Sequence, residues 1–400
     1  MGKRSKLSFL LIILISLSSA CNLPQGEDVY TTPDVMATMV AATAINMIEQ
    51  TTLQAKGGML PSPLYFLSDE NSESIQLWRL NQDTLAVTRV TDESTDISDY
   101  AISPSDGRVA YISNNQLLLA DSDGANPTVL IEGDKPSDTD VYSYQQKIAG
   151  LAWSPDGNML AYGKNGVVLY NIQDDTKQRL IKNELDKTDN GSLLPINLYN
   201  PLSWSPDGTK LLVGIGWMEA GTLGVLDPVS GSMVQMGRGV VCCQATWLPD
   251  SSGILVSSTV IGMVESGLWR YRADNGEQSV LIPTTSEDNT LNFVGWPFIL
   301  PNGNLFYFYN NMADFPEEET PLTLVHSAAD GVSDRIQLRP ETWQIYEALW
   351  TPDGSKVIAV QPPLGEQNVY PRRGPIVMID ISGSLVQPLA PSGYNLQWGQ

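Results

Sequence analysis

LAWSPDGNMLAYG (Leu151–Gly163) sets a Ser-Pro-Asp-Gly turn between two apolar runs. Proline presets φ at the first corner, aspartate can accept from a nearby backbone N–H, and glycine takes the positive φ that closes the turn. The flanking runs are short and rich in strand formers, so the stretch reads as a β-hairpin. A single Pro-Asp-Gly turn carries little information, but this one recurs. AISPSDGRVAYIS starts at Ala101, LSWSPDGTKLLVG at Leu202, ATWLPDSSGILVSS at Ala245, FILPNGNLFYFY at Phe298 and ALWTPDGSKVIAV at Ala348. The turn prolines Pro104, Pro155, Pro206, Pro249, Pro301 and Pro352 fall 43 to 52 residues apart. Near-constant spacing of a degenerate unit marks a repeat architecture.

Each unit continues in the same way. In the unit around Leu151, IAGLAWS, NMLAYG, GVVLYNI and KQRLIK read as four antiparallel strands, A to D. Four such strands per unit make a propeller blade. The chain ends supply one more. The final NLQWGQ repeats strand A, with Trp398 in the place of Trp153, Trp204 and Trp350, while LYFLS, SIQLWRLN and VTRVT near the first β segment read as strands B, C and D lacking an A. The expectation is an all-β protein, a seven-bladed β-propeller of four-stranded antiparallel blades over residues 58–400. The C-terminal strand pairs with the N-terminal β segment to close it and remove open edges.

The pattern xWSPDGxxLAY resembles the WD40-like repeats of the TolB-type propeller proteins of the bacterial cell envelope. The resemblance covers about Gly58 to Gln400 and implies fold more than function. TolB carries a preceding α/β domain and a six-bladed ring, which this sequence does not repeat. Prolyl-oligopeptidase-type enzymes share similar repeats and add an α/β-hydrolase domain; no G-x-S-x-G elbow is present here.

Ahead of the repeats, MGKRSK and LSFLLIILISL form the basic and apolar regions of a targeting segment, and SSAC follows. This resembles a lipoprotein signal over residues 1–20, cleaved before a lipidated Cys21. Ser18 stands where the usual motif has a large aliphatic residue, so cleavage to a soluble secreted form stays open; a retained span is disfavoured by the short apolar run. Residues 21–57 read as a spacer and a short amphipathic helix from about Asp34 to Gln50, outside the ring, with Thr32 as N-cap and Pro33 in the first turn. The expected location is extracytoplasmic and membrane-anchored, at the periplasm or the outer cell surface.

Composition narrows the partners. With 45 Asp+Glu against 23 Lys+Arg, the net charge is −22, which excludes nucleic acid as a natural ligand. In a propeller the Pro-Asp-Gly turns and the short C–D turns share one face. The longer connections share the other: Gly133–Lys147, Asn183–Tyr199, Thr284–Asn292, Gly214–Gly221, Thr259–Ser266, Asn310–Pro321 and Gln361–Arg373. One-sided length variation on a repeat scaffold points to a binding face. Its candidate residues are Tyr142, Tyr144, Tyr199, Trp217, Glu219, Asp314, Phe315, Glu317, Glu318, Glu319, Trp343, Tyr346, Tyr370, Arg372 and Arg373. Aromatics with charged neighbours suit a protein or glycan ligand.

Catalytic and metal constellations are sparse. His326 is the sole histidine and sits in the strand LTLVHS without a nucleophile motif. One histidine excludes multi-histidine metal sites. Asp-rich turns such as DSDG (Asp121–Gly124) lack the twelve-residue calcium loop. Cys242 and Cys243 are adjacent, leaving open a strained vicinal disulfide or two thiols. The expectation is therefore a lipid-anchored, non-enzymatic binding or scaffold module for a cell-envelope protein or glycan, with no cofactor. The alternative is a carbohydrate-active hydrolase or lyase using carboxylates at the channel mouth.

Overall fold

The computed structural model describes residues 59–217, 220–237, 244–260, 265–314, 320–363, 371–383 and 385–400. Cys21, the expected helix, Glu219, Cys242, Cys243, Phe315, Glu317, Glu318, Glu319 and Tyr370 lie outside them. Among the described residues the protein is all-β, and its helical content is one π-turn, Tyr142–Gln146. The strands form six antiparallel sheets, five of four or five strands and one of seven. The arrangement is a β-propeller.

The expected A–B–C–D order recurs in every sheet. In one, Ala149–Trp153, Met159–Gly163, Val167–Asn171 and Thr176–Ile181 lie side by side in chain order. The middle strands are nearly all apolar and buried. The fourth, TKQRLI, is mostly exposed, and its Lys, Gln and Arg make a poor template for another chain's edge. The seven-stranded sheet holds Glu347–Trp350, Lys356–Val360, Gly374–Asp380, Val386–Trp398, Leu64–Ser68, Gln76–Leu80 and Val87–Arg89 in that order. Val386–Trp398 serves two neighbours in turn. Val386 faces Ile379 near its start, and Tyr394 and Trp398 face Leu67 and Leu64 near its end.

Two segments read as loops are hairpins. Asn183–Tyr199 contains the strands Glu184–Lys187 and Leu193–Trp204, and Gly214–Gly221 is spanned by the pairing of Leu211–Trp217 with Ala220–Leu226. Pro195 and Pro201 disguise the first of these, since proline argues against a strand interior. Here Pro195 sits in the arm that projects beyond the sheet, and Pro201 lies beside a bulge.

Apolar clusters form between successive sheets and within the seven-stranded sheet. One joins Leu117, Leu119 and Ile131 to Leu151, Trp153 and Leu160; another joins Leu64 and Phe66 to Ile358, Val360 and Ile376. The motif tryptophans add a directional bond across these seams. Trp153 Nε1 donates to the Ala101 carbonyl (3.2 Å), Trp204 Nε1 to Ala152 (3.0 Å), and Trp247 Nε1 to Ser203 (3.4 Å). Trp350 Nε1 donates to Trp296 (2.9 Å), and Trp398 Nε1 to Trp350 (2.8 Å). Every acceptor lies on the inner strand of the preceding unit. The two units with Ile102 and Ile299 in the tryptophan place use other bonds. The Tyr100 hydroxyl donates to the Asn395 carbonyl and Gln397 Nε2 to the Tyr100 carbonyl, while the Trp296 N–H donates to Gln244 Oε1.

The Ser-Pro-Asp-Gly turn is equally explained by its bonds. Ser154 Oγ accepts from the Met159 N–H (2.9 Å) and donates to Asp156, which also accepts from the Asn158 N–H. Ser205–Lys210 and Thr351–Lys356 repeat the pattern. Hydrogen bonds from Ser154 and Asn158 hold the Asp156 carboxyl below its usual range. Gly157 has φ +70°, and a Cβ there would lie 1.9 Å from Ser105 Oγ of the preceding turn. The glycine thus satisfies both the turn and the packing of one turn on the next.

Replacing Trp204 with Phe keeps most of the apolar volume but leaves the Ala152 carbonyl without its donor. We expect a loss of about 1–3 kcal/mol, read from the denaturant midpoint. Trp247→Phe, at a longer bond and a partly exposed site, should cost less; equal costs would contradict the assigned role.

Candidate functional site

The face opposite the Pro-Asp-Gly turns lies at the N-terminal ends of the inner strands. Each of several inner strands there carries a bulge: between Ala149 and Leu151, Pro201 and Ser203, Gly295 and Phe298, and opposite Tyr65 and Leu67. A bulge turns backbone N–H groups away from their own ladder. Side chains of the adjacent inner strand collect them. Glu347 Oε2 accepts from the Asn395 N–H and Oε1 from the Leu396 N–H, both at 2.6 Å. Asn395 Nδ2 donates to Asp99 Oδ1 at 3.3 Å, which also accepts from the Tyr100 N–H at 2.9 Å.

Burial pushes Asp99 up to about 6, against the opposing pull of N–H donors on Tyr100, Asn395, Leu151 and Gly150. Burial likewise raises Glu347 against donors on Leu396 and Asn395. The Tyr100 phenol is driven well above its usual range by burial and by the charges of Glu347 and Asp99. Both oxygens of Glu347 and Oδ1 of Asp99 are committed to neighbouring strands. These two carboxylates act as pins between strands.

The candidate face resolves into two groups. Tyr142 and Tyr144 belong to the π-turn, and Tyr199 lies beyond it in Leu193–Trp204. Tyr199 is buried, its hydroxyl donating to Glu184 Oε1 at 3.1 Å, and burial with Glu184 takes its phenol up to about 12. Trp217 packs, half-buried, at the end of its strand. The second group holds Tyr346, with the Arg372 guanidinium 5.2 Å from its ring centre, and Arg373, paired to Asp69 at 2.8 Å. Trp343 is buried in a strand with Arg339 5.7 Å from its ring centre. Asp314 is exposed. Tyr199 and Trp343 therefore stand in the core rather than at loop tips.

Beside the first group lies a polar pocket of about 200 Å³, lined in part by Tyr144, Lys147, Lys164, Asn165, Asn183 and Asn200. Apart from the tyrosines, sequence reading missed it, because its walls come from four separated segments. The one local signal was the tight Gly163–Gly166 turn. The half-buried ring of His326 packs against Phe306, centroids 5.0 Å apart. Among the described residues no metal-binding cluster is present and no helix is long and apolar enough to cross a membrane.

No protein-family model matches the chain and no curated protein matches it. Solved structures do. A puromycin-hydrolyzing peptidase of Mycobacterium tuberculosis aligns with a TM-score of 0.56 at 14% identity, over 82% of this chain and 51% of that one. A prolyl endopeptidase aligns with a TM-score of 0.52 at 14% identity, over 91% of this chain and 56% of that one. TolB from Acinetobacter baumannii aligns at 0.40, over 82% and 77%, too loosely to argue from. At such identity the likeness is one of fold, and this chain spans about half the length of the two peptidases. The expectation of a non-enzymatic binding or scaffold module is corrected by this finding, because the propellers matched above a TM-score of 0.5 belong to peptidases.

The Asp99 shift has a definite sign. A carboxyl whose folded pKa lies above its unfolded value of 3.8 makes the protein bind more protons when folded. Its contribution to stability is fully present below pH 3.8 and is lost as pH rises through about 6. We expect the melting temperature to be higher at pH 5 than at pH 7.5 by roughly 2–4 °C more in the wild type than in Asp99→Asn. An unchanged difference in the variant would refute the assignment.

Proposed function

We propose that this chain works in peptide hydrolysis, as the propeller part of a peptide hydrolase that receives substrate at its loop-bearing face. The observation that carries the reading is the match to two peptidases over 82% and 91% of this chain and only about half of theirs. In this reading the covered half is the propeller of those proteins, and their catalytic machinery lies in the half that is not covered. Among the described residues His326 packs against Phe306 and Glu347 is spent on backbone donors, which fits this division. The nucleophile is supplied from outside the described propeller.

In this reading the propeller has seven blades and is closed. The seven-stranded sheet is two blades sharing Val386–Trp398, and the bonds from Trp398 to Trp350 and from Gln397 to Tyr100 support continuity across the join. The location is extracytoplasmic, with a lipid on Cys21 holding the protein to the membrane, as the leading segment suggests.

Two experiments test this. Dye-labelled peptides should bind the purified chain saturably, and envelope extracts of cells making the chain should cleave quenched peptides faster than extracts lacking it. Absence of both effects would end the proposal. Removal of residues 392–400 deletes the strand that faces Leu64–Ser68, and we expect it to abolish the cooperative melt. A truncated chain melting like the full one would leave the propeller open.

A further inference from the structure

We infer that the pocket between the Ala149–Asn171 strands and the Leu193–Trp204 strand takes the C-terminal carboxylate of a peptide. The inference rests on the peptide reading above and deepens it. The walls are rigid for reasons visible in their bonds. Asn183 Nδ2 donates to the Tyr144 carbonyl (2.7 Å), and its Oδ1 accepts from the Tyr199 N–H (2.8 Å), tying the preceding loop to the following inner strand. Arg179 Nη1 donates to the carbonyls of Lys164 and Asn165 and holds the turn. At Gly163 a Cβ would lie 2.4 Å from the Ala149 carbonyl oxygen and 2.6 Å from Asn200 Oδ1, so the turn can approach only as glycine.

What these walls present is two lysines without a carboxylate partner and two side-chain amides without a bond. Lys147 and Lys164 both line the pocket, and among the described residues neither has a carboxylate within 4.0 Å. Lys164 reaches only the Glu132 carbonyl, at 3.3 Å. Asn165 and Asn200 also line it, and their side-chain amides make no hydrogen bond among the described residues; Asn165 Oδ1, an acceptor, is buried without a partner and calls for a donor on the occupant. In a chain of net charge −22, basic residues are scarce and acids abundant, yet here two lysines line one cavity and neither has an acid within 4.0 Å among the described residues. A terminal carboxylate suits the two lysines, since it accepts through both oxygens and charge-assisted bonds are the stronger kind, and the amide N–H of the same terminal residue is the donor that Asn165 Oδ1 lacks. Size sets the rest. About 200 Å³ lies below the roughly 300–1,000 Å³ of a drug-sized site, which suits one terminal residue and not a long segment.

The test is calorimetric titration of the full chain with trialanine bearing a free C-terminus, with the same peptide amidated, and with acetate. We expect the free acid to bind, and the amide and the Lys147→Gln/Lys164→Gln double variant each to weaken binding at least tenfold. Lys177→Gln, on the exposed outer strand, should leave it unchanged, and an unaltered thermal melt shows that the double variant is folded. Acetate matching trialanine would mean a small-acid site and overturn the peptide assignment. Equal binding of acid and amide, no effect of the double variant, or no binding of the free acid would each overturn the inference. Peptide binding that ignores amidation removes this pocket while leaving the peptide-hydrolase reading in place.

Discussion

The structure depends on an indole N–H finding an acceptor on the preceding unit. A tryptophan in the middle of a packed seam brings a donor that water cannot reach, and leaving it unmade would cost more than the bond itself contributes. Five motif tryptophans solve this in one way, by donating to an inner-strand carbonyl of the preceding unit. That bond fixes how far one sheet can rotate against the next, and the apolar clusters fill the wedge it defines. The turn that follows each tryptophan then stacks on its predecessor, as Gly157 does on Ser105 and Gly208 on Pro155. The inner strands must accommodate the same convergence at their other ends. They do so with bulges whose freed N–H groups are met by Glu347, Asp99 and Gln244.

Much of the fold was legible because its signals are local. Ser-Pro-Asp-Gly between apolar runs is a turn for backbone reasons alone, and its recurrence gave the unit. The incomplete ends, LYFLS and NLQWGQ, could be matched because each lacked what the other had, and Tyr394 and Trp398 do face Leu67 and Leu64. The hairpin at Glu184–Trp204 was hidden by Pro195 and Pro201, whose tolerance depends on where the strand stands in its sheet. Tyr199 and Trp343 read as loop aromatics for a related reason: burial is a property of neighbours that the surrounding residues do not announce.

The functional residues were harder still. Asp99 and Glu347 look like any surface acid in the sequence, and only the bulge on the adjacent strand gives them work. Lys147, Lys164, Asn165 and Asn200 are distributed over three segments and become a group only when two blades meet. A carboxylate count could not separate a catalytic pair from structural pins, and the loop-length argument located a face without saying what kind of chemistry it serves. The comparison with peptidases overturned the non-enzymatic expectation, and the hydrogen bonds of the inner strands show what Glu347 and Asp99 do.

The motif tryptophan always reaches for a main-chain oxygen, whatever residue carries it: Ala101, Ala152, Ser203, Trp296 or Trp350. The acceptor is chemically anonymous. A unit can therefore change nearly every side chain on its receiving edge and still be recognised by the next, provided its strand stays in place. Joints of this kind let sequences differ widely while holding one geometry. They also make units exchangeable, since a duplicated repeat arrives already able to donate on one side and accept on the other.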